Sequence, residues 1–205
     1  MRVSAYFIVA AKLFKEETMS RYAHLSGGFF AIVFAAAILI APNSAHAASA
    51  AEIDLDVDSA LLKLYEKTPA AKELSKVAKG ILVFPSIIKG GFIVGGQYGE
   101  GALRMEGKTA GYYNTAAASY GLQAGAQSFG YALFFMTDKA LDYLNKSEGW
   151  EIGVGPSVVV VDEGFARSLT TTTAKSDIYA FFFDQKGLMA GLGLQGSKIT
   201  KIDKK

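Results

Sequence analysis

The sequence contains no cysteine, and its only two histidines, His24 and His46, lie within the first 47 residues. Without cysteine the protein can form no disulfide bond, has no thiol nucleophile and carries no cysteine to which a lipid could be attached. Residues 48–205 also lack the side chains of Cys/His zinc sites, haem ligation and histidine-based catalytic dyads. These absences exclude those chemistries, and the protein is predicted to be non-enzymatic, with no metal site and no cofactor. Acid–base catalysis by Asp, Glu, Lys or Tyr is the alternative that needs no histidine.

The only long apolar run is Phe29–Ala41, which is followed by Pro42 and by Ala45-His46-Ala47. An apolar core between a basic residue and a small-x-small end is typical of a secretory signal peptide. The run is shorter than the roughly 20 residues that a membrane span needs. We therefore predict that residues 1–47 are a signal peptide and that the protein is exported to a bacterial periplasm. Met19 is an alternative start, and an uncleaved N-terminal anchor is the alternative to cleavage.

A charge excess of one sign is also absent from the predicted mature chain. Residues 1–47 contain four basic and two acidic residues, so the remaining 158 residues carry 17 of each. General nucleic-acid binders usually have a clear basic excess, so no nucleic-acid partner is expected. A chain of 158 residues is long enough for one domain with a real hydrophobic core.

Two helices are predicted before the first strand. Ala48–Asp58 is read either as an acidic leader or as the acidic first part of a helix. Asp58 is placed to cap a helix over Ser59–Lys67, since acidic groups are favoured at helix N-termini. A second helix, Pro69–Lys79, would begin with proline in its first position and end at Gly80.

Both helices carry lysines opposite their apolar stripes: Lys63, Lys67, Lys72, Lys76 and Lys79. These lysines form either a solvated outer face of helices that cover a sheet or a face that meets anionic lipid. The second interpretation is possible because a lysine near an anionic membrane surface contributes about 1 kcal/mol to binding.

Glycine is abundant in the middle of the chain, where 12 of the 22 glycines fall between Gly80 and Gly130. Glycine among apolar and β-branched residues indicates strands that bend, bulge or approach another surface closely. Candidate strands are Ile81–Phe84, Phe92–Tyr98 and Ala102–Met105, followed by a turn at Glu106-Gly107-Lys108. The fold class is therefore predicted as α+β, with a bent, glycine-rich antiparallel sheet, open or barrel-like, packed against N-terminal helices.

Further along, Thr137 is predicted to cap a helix that ends at Lys146. A hairpin is predicted from Ile178–Phe183 and Leu188–Gln195 with a turn at Asp184–Gly187. Asp162 and Glu163 are the candidate carboxylate pair for a hydrolase, although adjacent loop carboxylates are usually only solvated.

Three segments together resemble the SYLF-domain family of lipid-binding proteins, whose eukaryotic members act on actin. They are AKGILVFPSIIKGGFIVGGQYGEGAL, SYGLQAGAQS and IYAFFFDQKGLMAGLGLQGSKI. The resemblance covers roughly Leu61–Ile202. It implies binding of anionic phospholipids through the domain and through a basic amphipathic helix that matches Pro69–Lys79.

The resemblance makes Lys72, Lys76 and Lys79 the expected lipid contacts, with Lys89 as a weaker one. The chain has neither an SH3 domain nor a lipoprotein cysteine, and an exported protein would not meet actin, so actin regulation is not expected. The alternative function is that of an envelope structural or stress protein that acts through protein–protein contacts.

Overall fold

The structure, a computed structural model, describes residues 48–147, 149–187, 194 and 196–204. The predicted signal peptide and nearly all of the predicted strand Leu188–Gln195 lie outside the described residues. The helices are α1 Ala50–Lys67, α2 Pro69–Ser75, α3 Asp138–Lys146 and α4 Glu163–Ala166. The strands are β1 Gly80–Met105, β2 Lys108–Phe135, β3 Trp150–Glu151, β4 Val158–Val161, β5 Ile178–Gly187 and β6 Lys198–Ile202.

Two long strands, β1 and β2, form a hairpin that is the framework of the fold. They pair antiparallel from Gly80 opposite Phe135 to Met105 opposite Lys108. The two turn residues, Glu106 and Gly107, both have positive φ, at 50° and 77°. Positive φ at both central positions is the type I′ geometry that matches the twist of paired strands. The predicted turn is therefore confirmed.

Strand β2 lies at the centre of the sheet. One edge pairs with β1, and the other pairs with β6 near the start of β2 and with β5 near its end. Beyond β5 lies β4, which runs parallel to it, and β3 pairs with β6. The sheet curls into a half-barrel. The predicted α+β fold with a bent sheet against N-terminal helices is confirmed, and the parallel pair β4–β5 is an addition to it.

The first half of β1 is crossed closely by its second half. A Cβ atom at Gly101 would overlap the carbonyl oxygen of Val83, and one at Gly99 would lie 2.7 Å from the carbonyl oxygen of Ser86. Only glycine allows two backbones to come this near. Because glycine lets the strand bend without breaking its pairing with β2, the three predicted strands are one continuous strand.

The sheet has a hydrophobic cluster on each face. One cluster joins Leu82, Phe84, Leu103 and Tyr131 to the inward side chains of α3 and to Trp150. The opposite cluster joins residues of four strands to the buried faces of α1 and α2: Ile53, Val57, Leu64, Leu74, Val83, Ala102, Phe134 and Phe181. We call this second surface the helix face, because the two N-terminal helices cover part of it.

The first helix starts nine residues earlier than predicted, so the prediction of an Asp58 cap was wrong. Ser49 is the N-cap, and it forms a capping box with Glu52, whose carboxylate accepts a hydrogen bond from the Ser49 N–H at 2.7 Å. The carboxylates of Asp54 and Asp58 are paired with Arg104. The residues considered as an acidic leader are therefore helical from Ala50 onward.

The second helix is shorter than predicted, because it ends at Ser75 and not at Gly80. Lys79 donates its backbone N–H to Phe135 at 2.8 Å, which draws the chain into the sheet. Pro69 does occupy the first turn of this helix, as predicted.

Three other predictions have clear outcomes. The helix capped by Thr137 is confirmed, with its hydroxyl accepting a hydrogen bond from the Ala140 N–H at 3.2 Å. The turn at Asp184–Gly187 was wrong, because β5 continues to Gly187 through an irregularity in its register with β2, where Asp184 has a φ of 49°. Strand β6 was not predicted at all.

Candidate functional site

The bend between the two halves of β1 forms an exposed tip midway along the β1–β2 hairpin. At the bend, a Cβ atom at Gly91 would overlap the Cα of Gly95. The register between β1 and β2 shifts there, between Phe92 and Val94. We call the exposed or half-exposed residues of this region, on the side of the helix face, the tip surface. On β1 they are Ile88, Gly90, Val94, Gly96 and Tyr98. On β2 they are Ala126, Ala118 and Ala116, which pair with Gly90, Gly96 and Tyr98 in that order.

The tip surface is apolar and exposed to solvent. Ile88, Val94 and Tyr98 are 67%, 64% and 49% exposed, although large apolar side chains are usually buried. Ile88 pairs with Ser128 and Tyr98 pairs with Ala116, which are both small residues of β2. No charged residue occurs from Gly90 to Gly99 or from Ala110 to Thr137. The tip therefore presents hydrophobic groups without a charge among them.

Charge begins immediately after the tip, at Glu100. Its carboxylate accepts a hydrogen bond from the Tyr98 hydroxyl at 2.8 Å and forms an ion pair with Lys204 at 2.7 Å. Burial, together with the hydrogen bond to Glu100, raises the pKa of the Tyr98 hydroxyl. Lys204 also donates to the backbone oxygen of Ala48 at 3.0 Å. This group ties the edge of the tip to the start of α1, so the tip has a defined polar boundary.

The predicted lipid-binding lysines of α2 and its continuation are exposed, but two of them have acidic neighbours. Lys76 pairs with Glu73 at 2.7 Å, and Lys79 pairs with Asp138 at 3.5 Å. For Lys72 the structure records no ion pair with any described residue. Lys72 and Lys76 lie one helical turn apart at the end of α2, whereas Lys79 lies just before β1.

The fourth predicted contact, Lys89, lies apart from the other three. It is half-buried in β1 opposite Gln127, and side-chain alternation places it on the face opposite to that of Ile88. From Lys79 to Gly91 the extended chain spans up to about 40 Å, so Lys72, Lys76 and Lys79 lie far along the chain from the tip. Lys89 adjoins the tip in sequence but lies on the other face of β1. The structure therefore does not bring the four predicted lysines together at one site.

An ionic cluster holds α1 on the helix face beside the tip. Arg104 forms ion pairs with Asp54 at 3.2 Å and with Asp58 at 2.6 Å. Tyr112 donates its hydroxyl to Asp54 at 2.9 Å. These bonds join the Arg104 side chain, which is only 11% exposed, to Asp54 and Asp58, which are 33% and 63% exposed. They anchor α1 over part of the sheet and leave the tip uncovered.

Of the carboxylate pair considered for a hydrolase, Asp162 has a local structural role. Asp162 is the N-cap of α4 and accepts a hydrogen bond from the Phe165 N–H at 2.7 Å. The side chain of Glu163 is not among those that the structure describes. Within the described residues, no cluster of acidic side chains could hold a metal ion. None of the helices in this part of the chain is long and apolar enough to cross a membrane.

Sequence reasoning identified the glycine-rich sheet as a candidate surface but named none of the tip residues. The signal that could have found them is the missing charge along β2, together with the two glycine pairs of β1, Gly90-Gly91 and Gly95-Gly96. Sequence alone could not show which face of these strands the helices cover.

Comparison with known proteins gives one family. Residues 116–205 match the model of the Ysc84 family, which is described as Las17-binding protein actin regulator. No curated protein matches the chain. The matched part contains most of β2 and every later element, whereas the first strand and the N-terminal helices precede it.

The matched family is one of binding domains, which agrees with the prediction of a non-enzymatic protein at that coarse level. It is also the family whose motifs the sequence resembles. Residues 116–205 therefore match the Ysc84 model of SYLF domains, the family that the sequence motifs resemble.

Proposed function

We propose that this protein is an exported, non-enzymatic domain that attaches to the surface of membranes rich in anionic phospholipid. The observation that carries the proposal is the tip surface, with Ile88 and Val94 each about two-thirds exposed and no charged residue among those that define it. A contiguous exposed apolar surface on a soluble domain is typical of a protein or membrane contact.

The tip has the composition that a lipid bilayer accepts. Full burial of a valine or isoleucine side chain contributes about 1.5–3 kcal/mol, and a tip without charge loses no hydration of ions on insertion. Tyr98, at the edge, is suited to the interface, where an aromatic ring with a polar end is favoured. Pairing of β1 with β2 satisfies the hydrogen bonds of backbone N–H and C=O groups, whose transfer to an apolar medium without partners would be costly.

The lysines supply the preference for anionic lipid in this proposal. Lys72 is exposed, and the ion pairs of Lys76 and Lys79 are formed by exposed groups, which contribute only about 0–1 kcal/mol. Such lysines can exchange a carboxylate for a lipid phosphate at little cost. Lys89, on the other side of β1, would contribute less.

The exported location rests on the sequence of residues 1–47. It is tested by the N-terminal sequence of the protein recovered from a periplasmic fraction. Export with cleavage would give a chain that begins at Ala48. An intact N-terminus in the cytoplasmic fraction would contradict this part of the proposal.

The function is tested by co-sedimentation of the full chain with vesicles. Phosphatidylglycerol and phosphatidylcholine vesicles are compared at low and high salt. We expect retention on phosphatidylglycerol that weakens with salt, because surface charges are screened within about 8 Å at physiological ionic strength.

Replacing both Ile88 and Val94 by aspartate should reduce retention at least tenfold. The triple change Lys72→Glu, Lys76→Glu and Lys79→Glu should remove the preference for phosphatidylglycerol.

A matched control is available on α1, where Leu55 and Leu62 are 71% and 64% exposed. Changing these two leucines to aspartate adds the same charge at equally exposed aliphatic positions away from the tip. The proposal requires the α1 variant to keep vesicle retention while the folded tip variant loses it. Equal retention by both variants would show that the tip is not the contact.

The alternative function is protein–protein contact in the cell envelope. It is favoured by the two exposed leucines, which lie seven residues apart on α1, and by the family description, which names Las17 as a protein partner. A protein partner would co-purify regardless of lipid composition and would be lost with the α1 variant.

A further inference from the structure

A groove of about 980 Å³ lies away from the tip, between the helical hairpin and the edge of the sheet. Its walls come from the junction of α1 and α2, the end of β4, the segment around α4, and β5. Small-molecule sites in proteins commonly have volumes of about 300–1,000 Å³. The groove is therefore large enough for a ligand with a long chain.

The inner surface of the groove is apolar. It is formed by Leu64, Val161, Leu169, Phe181 and Phe183, each at most 8% exposed. These side chains belong to the hydrophobic cluster of the helix face. A hydrocarbon chain placed in the groove would contact this cluster directly.

The charges at the rim differ in their pairing. Each of the three carboxylates among the described side chains of the rim has a partner: Glu73 pairs with Lys76, Asp162 accepts the N–H of Phe165, and Asp184 pairs with Lys67 at 3.3 Å and with Lys63 at 3.9 Å.

Arg167 is the contrasting rim residue. It is exposed, and the structure records no ion pair or hydrogen bond of its guanidinium with any described residue. A planar guanidinium is the side chain best suited to bind a carboxylate or phosphate in a bidentate manner. The rim thus offers a cation to a ligand, while its anions are already occupied.

We propose that the groove binds a single-chain anionic amphiphile, with the hydrocarbon tail over the apolar residues and the carboxylate or phosphate at Arg167. Lys67 is a second cation at the rim and is paired with Asp184. The inference is independent of membrane attachment, because no tip residue lines the groove.

The test measures displacement of a fluorescent fatty acid from the full chain by palmitate, by lysophosphatidylglycerol and by hexadecanol, each below the concentration at which it aggregates. Palmitate and lysophosphatidylglycerol distinguish a free fatty acid from a lysophospholipid as the source of the anion. We expect at least one of them to bind about tenfold more tightly than hexadecanol, which has the tail without the charge. Equal binding of hexadecanol, or no displacement by either anion, would overturn the proposal.

Two variants locate the site. Arg167→Gln should weaken binding of the preferred anion about five- to tenfold, whereas Lys175→Gln, an exposed cation that does not line the groove, should leave it unchanged. Val160→Trp fills the groove from a position that is 52% exposed and should weaken binding more than tenfold. If folded Arg167→Gln and Val160→Trp both bind as the unchanged protein does, the ligand lies elsewhere and the proposal fails. The Ile88→Asp, Val94→Asp variant should keep amphiphile binding, which separates this site from vesicle attachment.

Discussion

The glycines of β1 fall into two groups that differ in what surrounds them. At the crossing of the strand, Gly99 and Gly101 have no room for a Cβ atom. At the tip, a Cβ on Gly90 or Gly96 would meet only one atom, at an ordinary contact distance of 3.8 Å or 3.6 Å. The fold therefore requires glycine at the crossing and at Gly91 of the bend, and it would accept alanine at Gly90 and Gly96. The small residues at these tip positions are better explained by a partner or membrane that the tip contacts than by packing within the fold.

The same contrast holds between two parts of the helix face. Near Val83 and Ala102 the sheet is covered by α1, and both side chains are fully buried. Further along β1, Ile88 and Val94 have the same apolar character and remain exposed. Since hydrophobic residues without cover lower solubility, an uncovered apolar tip is expected where a partner or a membrane provides the cover.

The largest effect is expected from Gly101→Ala. The new methyl group would overlap the backbone of Val83, which cannot move without breaking the pairing of β1 with β2. Interiors packed at this density do not absorb such an overlap, and we expect a loss of at least about 3 kcal/mol in the free energy of unfolding. Urea unfolding followed by circular dichroism measures it.

Gly96→Ala is the matched control in the same strand. It adds the same methyl group at ordinary contact distance and reduces the conformational freedom of the unfolded chain. We expect stability to be unchanged or raised by up to about 1 kcal/mol. A similar large loss in both variants would mean that the two groups of glycines do not differ.

A smaller loss of stability is expected from Arg104→Leu, which tests how the covered part of the helix face is held. The change leaves Asp54 without its ion pair under α1, but Asp58 is 63% exposed and can be solvated. We therefore expect a loss of about 2 kcal/mol, below the 3–5 kcal/mol of a fully buried pair. Arg104→Lys should recover only part of it, because lysine cannot bind both carboxylates in a forked manner. Full recovery with lysine would contradict the role given to the guanidinium.

At the tip, Gly96→Asp should separate contact from stability. A carboxylate at this exposed position costs less than about 1 kcal/mol of folding free energy. When the tip meets anionic lipid, however, the carboxylate loses its hydration and is repelled by the lipid phosphates. We expect retention on phosphatidylglycerol vesicles to fall about tenfold, while Gly96→Ala is retained as before. Unchanged retention of the aspartate variant would remove Gly96 from the contact surface.

The sequence predicted those features that depend on neighbouring residues. The Thr137 cap and the Glu106-Gly107 turn are confirmed because each is set by one or two side chains acting on the adjacent backbone. The start of α1 was missed for the opposite reason. Asp54 and Asp58 look like a solvated leader until Arg104, about 50 residues later in the chain, is known to pair with them.

Long-range packing also limited prediction of the candidate site. The charge-free glycine segments are visible in the sequence, but the contact of Gly101 with Val83 that folds β1 back follows from tertiary structure. Val94 is exposed because α1 does not extend over it, and no local sequence pattern predicts how much of the sheet α1 covers. Helical spacing placed the lysines opposite the apolar stripe, and the family resemblance made them lipid contacts. The pairing of Lys76 with Glu73 and of Lys79 with Asp138 follows from side-chain placement.

The smallest effect is expected from Asp177→Asn, at the end of the sheet opposite to the tip. The backbone N–H of Ser157, followed by its hydroxyl, holds the pKa of Asp177 below its ordinary value of 3.8. The carboxylate accepts these bonds at 3.1 Å and 3.0 Å and so joins the start of β4 to the start of β5.

A lowered pKa contributes stability that is present above the unfolded-state value and is lost as pH falls through the folded-state value. At pH 7 the variant should be less stable by up to about 1 kcal/mol, and the difference should vanish as the pH falls below about 3.8. Asp56→Asn, at an exposed position of α1, should show no such difference at either pH. Urea unfolding at pH 7 and pH 3 distinguishes these outcomes. If Asp177→Asn lost the same stability at both values, the contribution would come from packing and not from the charged form of Asp177.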